Sequence, residues 1–230
     1  MEKKAVEIIA KSLLFRGLPQ EEVGRIAQLA VGKQYEKGQT IFQEGDDGNG
    51  FYVIGDGLVK IFKMSMDGKE QILHILGPGE PFGEVPVFSG QRFPANAETL
   101  IDSRLLFFPR PAFVTLISDN PSLALNMLAV LAMRLRQFTT QIENLSLKEV
   151  PARLAAYLLY LAREQEEKNS VRLSISKGQL ASLLGTVPET LSRVFSKMNN
   201  QGLIEVDDRH IRFLDRDRLE ELAEYGKNGV

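Results

Sequence analysis

The sequence predicts an α+β chain: a barrel or sandwich of short strands, one long helix, and a small helix-turn-helix unit with a strand wing. Three observations predict it. From Gln34 to Phe108, short β-type runs alternate with closely spaced glycine turns. From Ala124 to Leu145, apolar residues recur at spacings of three and four without interruption. From Ser176 to Lys197, two short helical patterns meet at a glycine. The expected division is a strand domain with flanking helices over residues 1–120, a long helix over 121–147 and the helix-turn-helix unit over 148–230.

Composition narrows the class. At 230 residues, 43% hydrophobic and 25% charged, the chain has the balance of a globular protein with room for two modest cores. No apolar run is long enough to cross a bilayer. Met1-Glu2-Lys3-Lys4 leads into no signal-peptide core, so a cytoplasmic address and no membrane partner are expected. Cysteine is absent, which removes disulfides, thiolate metal sites and any cysteine-held iron–sulfur cluster. A net charge of −2 does not suit a protein that coats nucleic acid without specificity. Specific binding needs only one local basic face. Between residues 172 and 197, Arg172, Lys177, Arg193 and Lys197 stand against Glu189 alone.

The elements follow in order. Val6, Ile9, Leu13 and Leu14 share a helical face, Phe15-Arg16-Gly17-Leu18-Pro19 breaks it, and Gln20 to Ala30 resumes helical spacing. The strand runs are Thr40-Ile41-Phe42, Phe51-Tyr52-Val53-Ile54, Leu58-Val59-Lys60-Ile61-Phe62 and Ile72-Leu73-His74-Ile75-Leu76, with a hairpin signal at Asp67-Gly68. Pro109 to Phe113 opens a helical region interrupted near Asn120-Pro121. Ala124, Leu128, Leu131, Leu135, Phe138, Ile142 and Leu145 are then spaced 4, 3, 4, 3, 4 and 3. The plain alternative is a helix packing one stripe on the strand domain. The narrow stripe and its small or polar flanks favour the seam of a parallel homodimer.

Pro151 starts another helix through Gln165, a charged loop follows, and Val171 to Ile175 reads as a strand. Ser176 and Gln179 form a capping box at the head of a short helix ending at Leu184. Pro188 suits the first turn of the next helix. Its residues Leu191, Val194, Phe195 and Met198 share a buried face, while Glu189, Ser192 and Arg193 point outward near its N-terminus. Gly202 ends it, and Leu203 to Val206 with His210 to Phe213 make a hairpin wing before a last helix, Arg216 to Tyr225. Such a helix is built to enter a major groove. Arg suits guanine O6 and N7, and Glu accepts from cytosine N4. The competing role for Arg193 is an ion pair with Glu189, four residues earlier.

At Phe82-Gly83-Glu84-Val85 and Glu189-Thr190-Leu191-Ser192-Arg193 the chain resembles the CRP/FNR superfamily of bacterial transcription regulators, from Phe15-Arg16-Gly17-Leu18 through to the wing. The glycine turns, among them Gly38 to Gly45 and Gly55 to Lys60, are similar to those of its cyclic-nucleotide-binding β-roll. The resemblance implies an effector-sensing β-roll, a dimerisation helix bearing Leu128, Leu131, Leu135, Phe138, Ile142 and Leu145, and a winged helix-turn-helix on double-stranded DNA. It implies RNA polymerase as a partner. Carried over, Glu189, Ser192 and Arg193 contact base edges. Thr190, Ser176, Lys177, Ser196 and Lys197 are the candidates for phosphate. Pro188 stands where members reading TGTGA half-sites usually have Arg, which implies the TTGA-type half-site of the FNR and Dnr branches. Two joined heads imply a palindrome.

In cyclic-nucleotide members, Gly-Glu is followed by Arg-Ser-Ala, whose Arg pairs with the phosphate. Here Gly83 and Glu84 match, but Phe93 and Pro94 hold the Arg and Ser places, and Arg92 is one residue off, on the opposite strand face. A phosphate there would lack its charge partner, so cyclic AMP is not the expected effector. Phe138 and Thr139 add to an apolar pocket. The pattern resembles the Dnr and HcpR-like regulators, which answer nitric oxide or nitrosative stress and are associated with haem. His74 is the candidate axial ligand, against the ordinary structural role of a lone strand histidine. The rivals are a cyclic-AMP-type or other small-molecule-responsive regulator and a nucleotide-binding regulatory subunit acting through protein contacts. An enzyme is not expected: His74 and His210 fall in separate domains and cannot build a cupin-like metal site.

Overall fold

The computed structural model describes residues 2–225. It divides into two compact units, Met1–Arg136 and Gln137–Val230. The first begins with α1 (Glu2–Lys11), a 3₁₀ turn at Leu13–Phe15 and α2 (Gln20–Leu29). Then come β1 (Val31–Tyr35), β2 (Thr40–Phe42), β3 (Gly50–Asp56), β4 (Val59–Met64), β5 (Glu70–Leu76) and β6 (Pro81–Phe82). After α3 (Val85–Ser89) follow β7 (Asn96–Thr99), β8 (Ser103–Pro109), α4 (Arg110–Asp119) and α5 (Pro121–Leu147), which crosses into the second unit.

The strands make two antiparallel four-stranded sheets, ordered β1-β8-β3-β6 and β2-β7-β4-β5. The first sheet is buried on both faces, which explains the unbroken apolar run Phe51 to Ile54. Phe51, Val53, Leu106 and Phe108 face the helices with Ile9, Phe15, Ile26, Phe113 and Met127. Tyr52, Ile54 and Leu105 face the second sheet with Val59, Leu76 and Ala97. Period-two alternation therefore divides one sequence run between two cores. The Asp67-Gly68 hairpin forms, with Gly68 at φ +81° and its N–H bonded to the Ser65 carbonyl at 3.0 Å. Lys60, almost buried on the outer face of β4, is neutralised by Glu70 at 2.5 Å and Glu98 at 3.1 Å.

Between α4 and α5 the chain turns by 114°. Asn120 precedes Pro121, and a residue before proline is pushed out of the helical region. Along α5 the expected seven-residue seam divides. Leu123, Met127 and Val130 are buried, and Leu131 packs partly with them against the helical core. Leu128, Leu135 and Ile142 remain 62%, 69% and 65% exposed, while Ala124 and Leu145 are half-buried. Within the single chain the expected row thus divides between Leu128, Leu135 and Ile142, exposed, with Phe138 beside them at 38% exposure, and Leu131 and Leu145, partly buried. The cause is angular: three residues at 3.6 per turn put Leu131 about 60° around α5 from Leu128, toward buried Met127 and Val130. Leu131 falls on the side already claimed by the core.

In the second unit, α6 (Val150–Glu164) is followed by β9 (Ser170–Arg172), α7 (Lys177–Leu183), α8 (Pro188–Asn200), β10 (Ile204–Asp207), β11 (His210–Phe213) and α9 (Arg216–Tyr225). The wing is a three-stranded antiparallel sheet ordered β10-β11-β9. Among the described residues, no single helix is long and apolar enough to cross a membrane.

Candidate nucleic-acid interface and effector roll

The entry to α7 is the expected capping box. The Gln179 N–H donates to Ser176 Oγ at 3.2 Å, and the Ser176 N–H donates to Gln179 Oε1 at 2.8 Å. The turn between α7 and α8 closes on Gly185, at φ +64°, and on a bond from the Thr186 N–H to the Ala181 carbonyl at 3.0 Å. Pro188 opens α8 after Val187, which supplies no side-chain cap. Leu191, Val194, Phe195 and Met198 are buried beside Leu180, Ala181 and Leu184 of the preceding segment. Lys177 lies 5.7 Å above the Phe195 ring, so its ammonium sits at the joint of the two helices.

The opposite face of α8 is polar and open. Glu189, Ser192, Arg193, Ser196 and Lys197 are exposed, as are Ser176 and Lys177, while Thr190 is half-buried. Ser192, Arg193, Ser196, Lys197, Asn200 and Gln201 line an open hollow along this face. The Ser196 hydroxyl is turned back onto the Ser192 carbonyl at 3.1 Å. Arg193 does not take Glu189 as its partner. Its Nη2 donates to Thr190 Oγ1 at 3.1 Å, and among the described residues no ion pair joins it to Glu189. The wing turn carries Asp208 at φ +49°, and Arg212 pairs with Glu205 across the hairpin.

The roll interior has a different character. Gly83, at φ +75°, lies so close to Phe42 and Phe93 that a Cβ would come within 3.2 and 3.3 Å of their rings. Phe93 stacks on Phe42 with ring centroids 3.7 Å apart and planes 6° from parallel. Its backbone is pinned on both sides, N–H to the Asp46 carbonyl at 3.0 Å and carbonyl to the Gly45 N–H at 2.9 Å. Arg92 points to the surface, bonded to Asp47 at 3.1 Å, and Pro94 is exposed. Glu84 is buried and paired with Arg134 of α5, whose second nitrogen donates to the Pro81 carbonyl.

Arg134 is absent from the residues expected from sequence. A signal for it existed: it continues the buried row Leu123-Met127-Val130 by one further turn, and a charge on such a row demands a buried partner. His74 lies directly opposite Ile61, on the face that carries Val59 and Leu76 into the roll. Burial, and then the nearby Arg134 charge, hold its imidazole down to about 4, so it is neutral at physiological pH. Phe138 and Thr139 belong to the second unit, and His210 lies in the wing.

Comparison with known proteins decides the family. Residues 32–120 match the cyclic nucleotide-binding domain, and residues 152–222 match the Crp-like helix-turn-helix domain. The "Cyclic AMP receptor protein" of Thermus thermophilus is 34% identical over 92% of this chain and 97% of its own length. The chain belongs to the CRP/FNR family of transcription regulators. Other relatives of this regulator include the "CRP-like cAMP-activated global transcriptional regulator" of Mycobacterium tuberculosis, 30% identical over 93% of this chain and 97% of its own. The "Fumarate and nitrate reduction regulatory protein" of Escherichia coli is 28% identical over 85% and 80%. Among solved structures, FixK2 of Bradyrhizobium japonicum superposes with a TM-score of 0.75 at 27% identity, covering 84% of this chain and 96% of that one. The helix-turn-helix of the regulator is therefore a DNA-binding head.

Proposed function

We infer that this regulator binds, as a homodimer, a palindrome with TTGA-like half-sites, under control of an effector other than cyclic AMP. The observation that carries the reading is the outer face of α8, where Glu189, Ser192 and Arg193 stand exposed beside Pro188 at the helix start. An exposed Glu and Arg four residues apart, not neutralised by each other, suit the two strands of a G·C pair or its neighbours. Lys177, Lys197, Ser176 and Ser196 flank this row and suit phosphates. The exposed Leu128-Leu135-Ile142 row supports pairing with a second copy. RNA polymerase is the proposed protein partner.

For the effector, Phe93 holds the position that the family resemblance gives to the phosphate-binding Arg, it stacks on Phe42, and Glu84 is paired with Arg134. Haem matches this roll in donor chemistry only. A neutral imidazole is the form that binds iron, and His74 is held neutral, whereas the Phe42–Phe93 stack in the same roll would have to be accommodated by the macrocycle. The proposed effector is accordingly small and apolar or weakly polar, or acts by displacing Phe93.

A footprint on a duplex carrying an inverted TTGA repeat tests the reading. The wild-type protein is expected to protect both half-sites in excess competitor DNA. Arg193→Ala is expected to lose that preference, by about 1–3 kcal/mol per half-site. An unchanged Arg193→Ala footprint sinks the assignment of α8, and tight calorimetric binding of cyclic AMP sinks the effector assignment. A Soret band after anaerobic haem reconstitution that is lost in His74→Ala would replace it with haem.

A further inference from the structure

We propose that Thr190 is a positioning residue that keeps Arg193 and Glu189 apart, so that both remain free to read bases. The inference rests on the base-reading role of α8 given above. A Glu four residues before an Arg is the favoured orientation for an intrahelical ion pair, worth about 0.2–0.5 kcal/mol. Left to that tendency, the two readers on α8 would neutralise each other and would have to separate before meeting DNA. The structure shows another arrangement: the Arg193 guanidinium is donated to Thr190 Oγ1 at 3.1 Å, one turn back toward the helix N-terminus.

Four features make Thr190 suited to this. It is half-buried while its neighbours Glu189, Ser192 and Arg193 are exposed, so the hydroxyl sits on a seated side chain. Its β-branch limits χ1 to two helical rotamers, and the one seen here turns Oγ1 to Arg193. One bond from Nη2 leaves four of the five guanidinium N–H groups, enough for a bidentate contact with guanine. Helical side chains lean toward the N-terminus, the end that meets base edges, so the hydroxyl holds Arg193 in the reading direction.

The test compares two duplexes: an inverted TTGA repeat, and the same duplex with the guanine pair of each half-site changed to A·T. Arg193→Ala is measured first, and loss of discrimination there establishes that α8 reads the guanine; without it, the DNA-reading role itself fails and the role of Thr190 falls with it. Thr190→Val, which keeps shape and removes the hydroxyl, is expected to lower the discrimination ratio about tenfold. Thr190→Ala is expected to do the same although it favours the helix, and Thr190→Ser to restore the wild-type ratio. In a Glu189→Gln background, Thr190→Val is expected to lose less than about half as much on a logarithmic scale, because the carboxylate that captures Arg193 is gone. Equal weakening of both duplexes by Thr190→Val would make Thr190 a phosphate contact and overturn the proposal. An unchanged ratio, or an equal loss in the two Glu189 backgrounds, would overturn it as well.

Discussion

The two arginines at the centre of this regulator make opposite use of the same side chain. Arg193 stands exposed on α8, held by one neutral hydroxyl and surrounded by polar groups that do not neutralise it. Arg134 is withdrawn into the roll, paired with buried Glu84 and bonded to the Pro81 carbonyl. Under the proposed reading, the first is kept ready for DNA. The second already has its carboxylate, and elsewhere in the roll Phe42 and Phe93 stack on each other. A DNA-reading surface can stay open because water solvates it. A roll interior without ligand must satisfy its own charges and fill its own volume.

Breaking each arginine should separate the two regions most widely. Arg134→Ala leaves Glu84 buried without its cation and is expected to destabilise the protein by about 3–5 kcal/mol in urea unfolding. Arg193→Ala is expected to stay within about 0.5 kcal/mol of wild type in the same measurement. A small loss for Arg134→Ala would mean that the roll is open to water and the contrast false.

The pH dependence sharpens the roll side. His74 titrates near its ordinary 6.5 when unfolded but only at about 4 when folded. As pH falls through that window, the unfolded chain takes up a proton that the folded one refuses, so stability drops. The loss is up to about 3 kcal/mol between those values. His74→Gln is expected to remove that slope, as read from unfolding at a series of pH values. A slope that persists in the variant would place the proton elsewhere.

A smaller loss of stability belongs to a cap in the head. Ser176→Ala removes the acceptor for the Gln179 N–H and is expected to lower stability by about 1 kcal/mol. Its thermal unfolding should shift while a His74→Gln protein retains an intact capping box. A loss matching that of Arg134→Ala would show that the head depends on more than local caps.

The head was the more legible region. Ser176 and Gln179, Gly185, Pro188 and the spacing of Leu191, Val194, Phe195 and Met198 all act within a few residues along the chain, and each reappears as expected. The partner of Arg193 was harder to read. Glu189 and Thr190 both lie within reach on one helix, and only side-chain geometry chose between them. The α5 seam was half legible. Its heptad period is real, but which rows face the core depends on how α5 lies on the strands of its own unit, and Leu131 went to the core. Arg134 and Glu84, fifty residues apart, left only the faint sign of a charge on an apolar row.

By itself the sequence determined the order of elements, the polar face of α8 and the family, and it put Phe93 and Pro94 in the segment after Gly83-Glu84. These rest on backbone preferences and side-chain periodicity, which act over one or two turns. The tertiary structure alone decided that Phe93 fills the interior against Phe42, that Arg134 answers Glu84, and that His74 is held neutral among them. Each joins segments distant in sequence, and burial makes a group's partner a matter of who arrives in the same dry space.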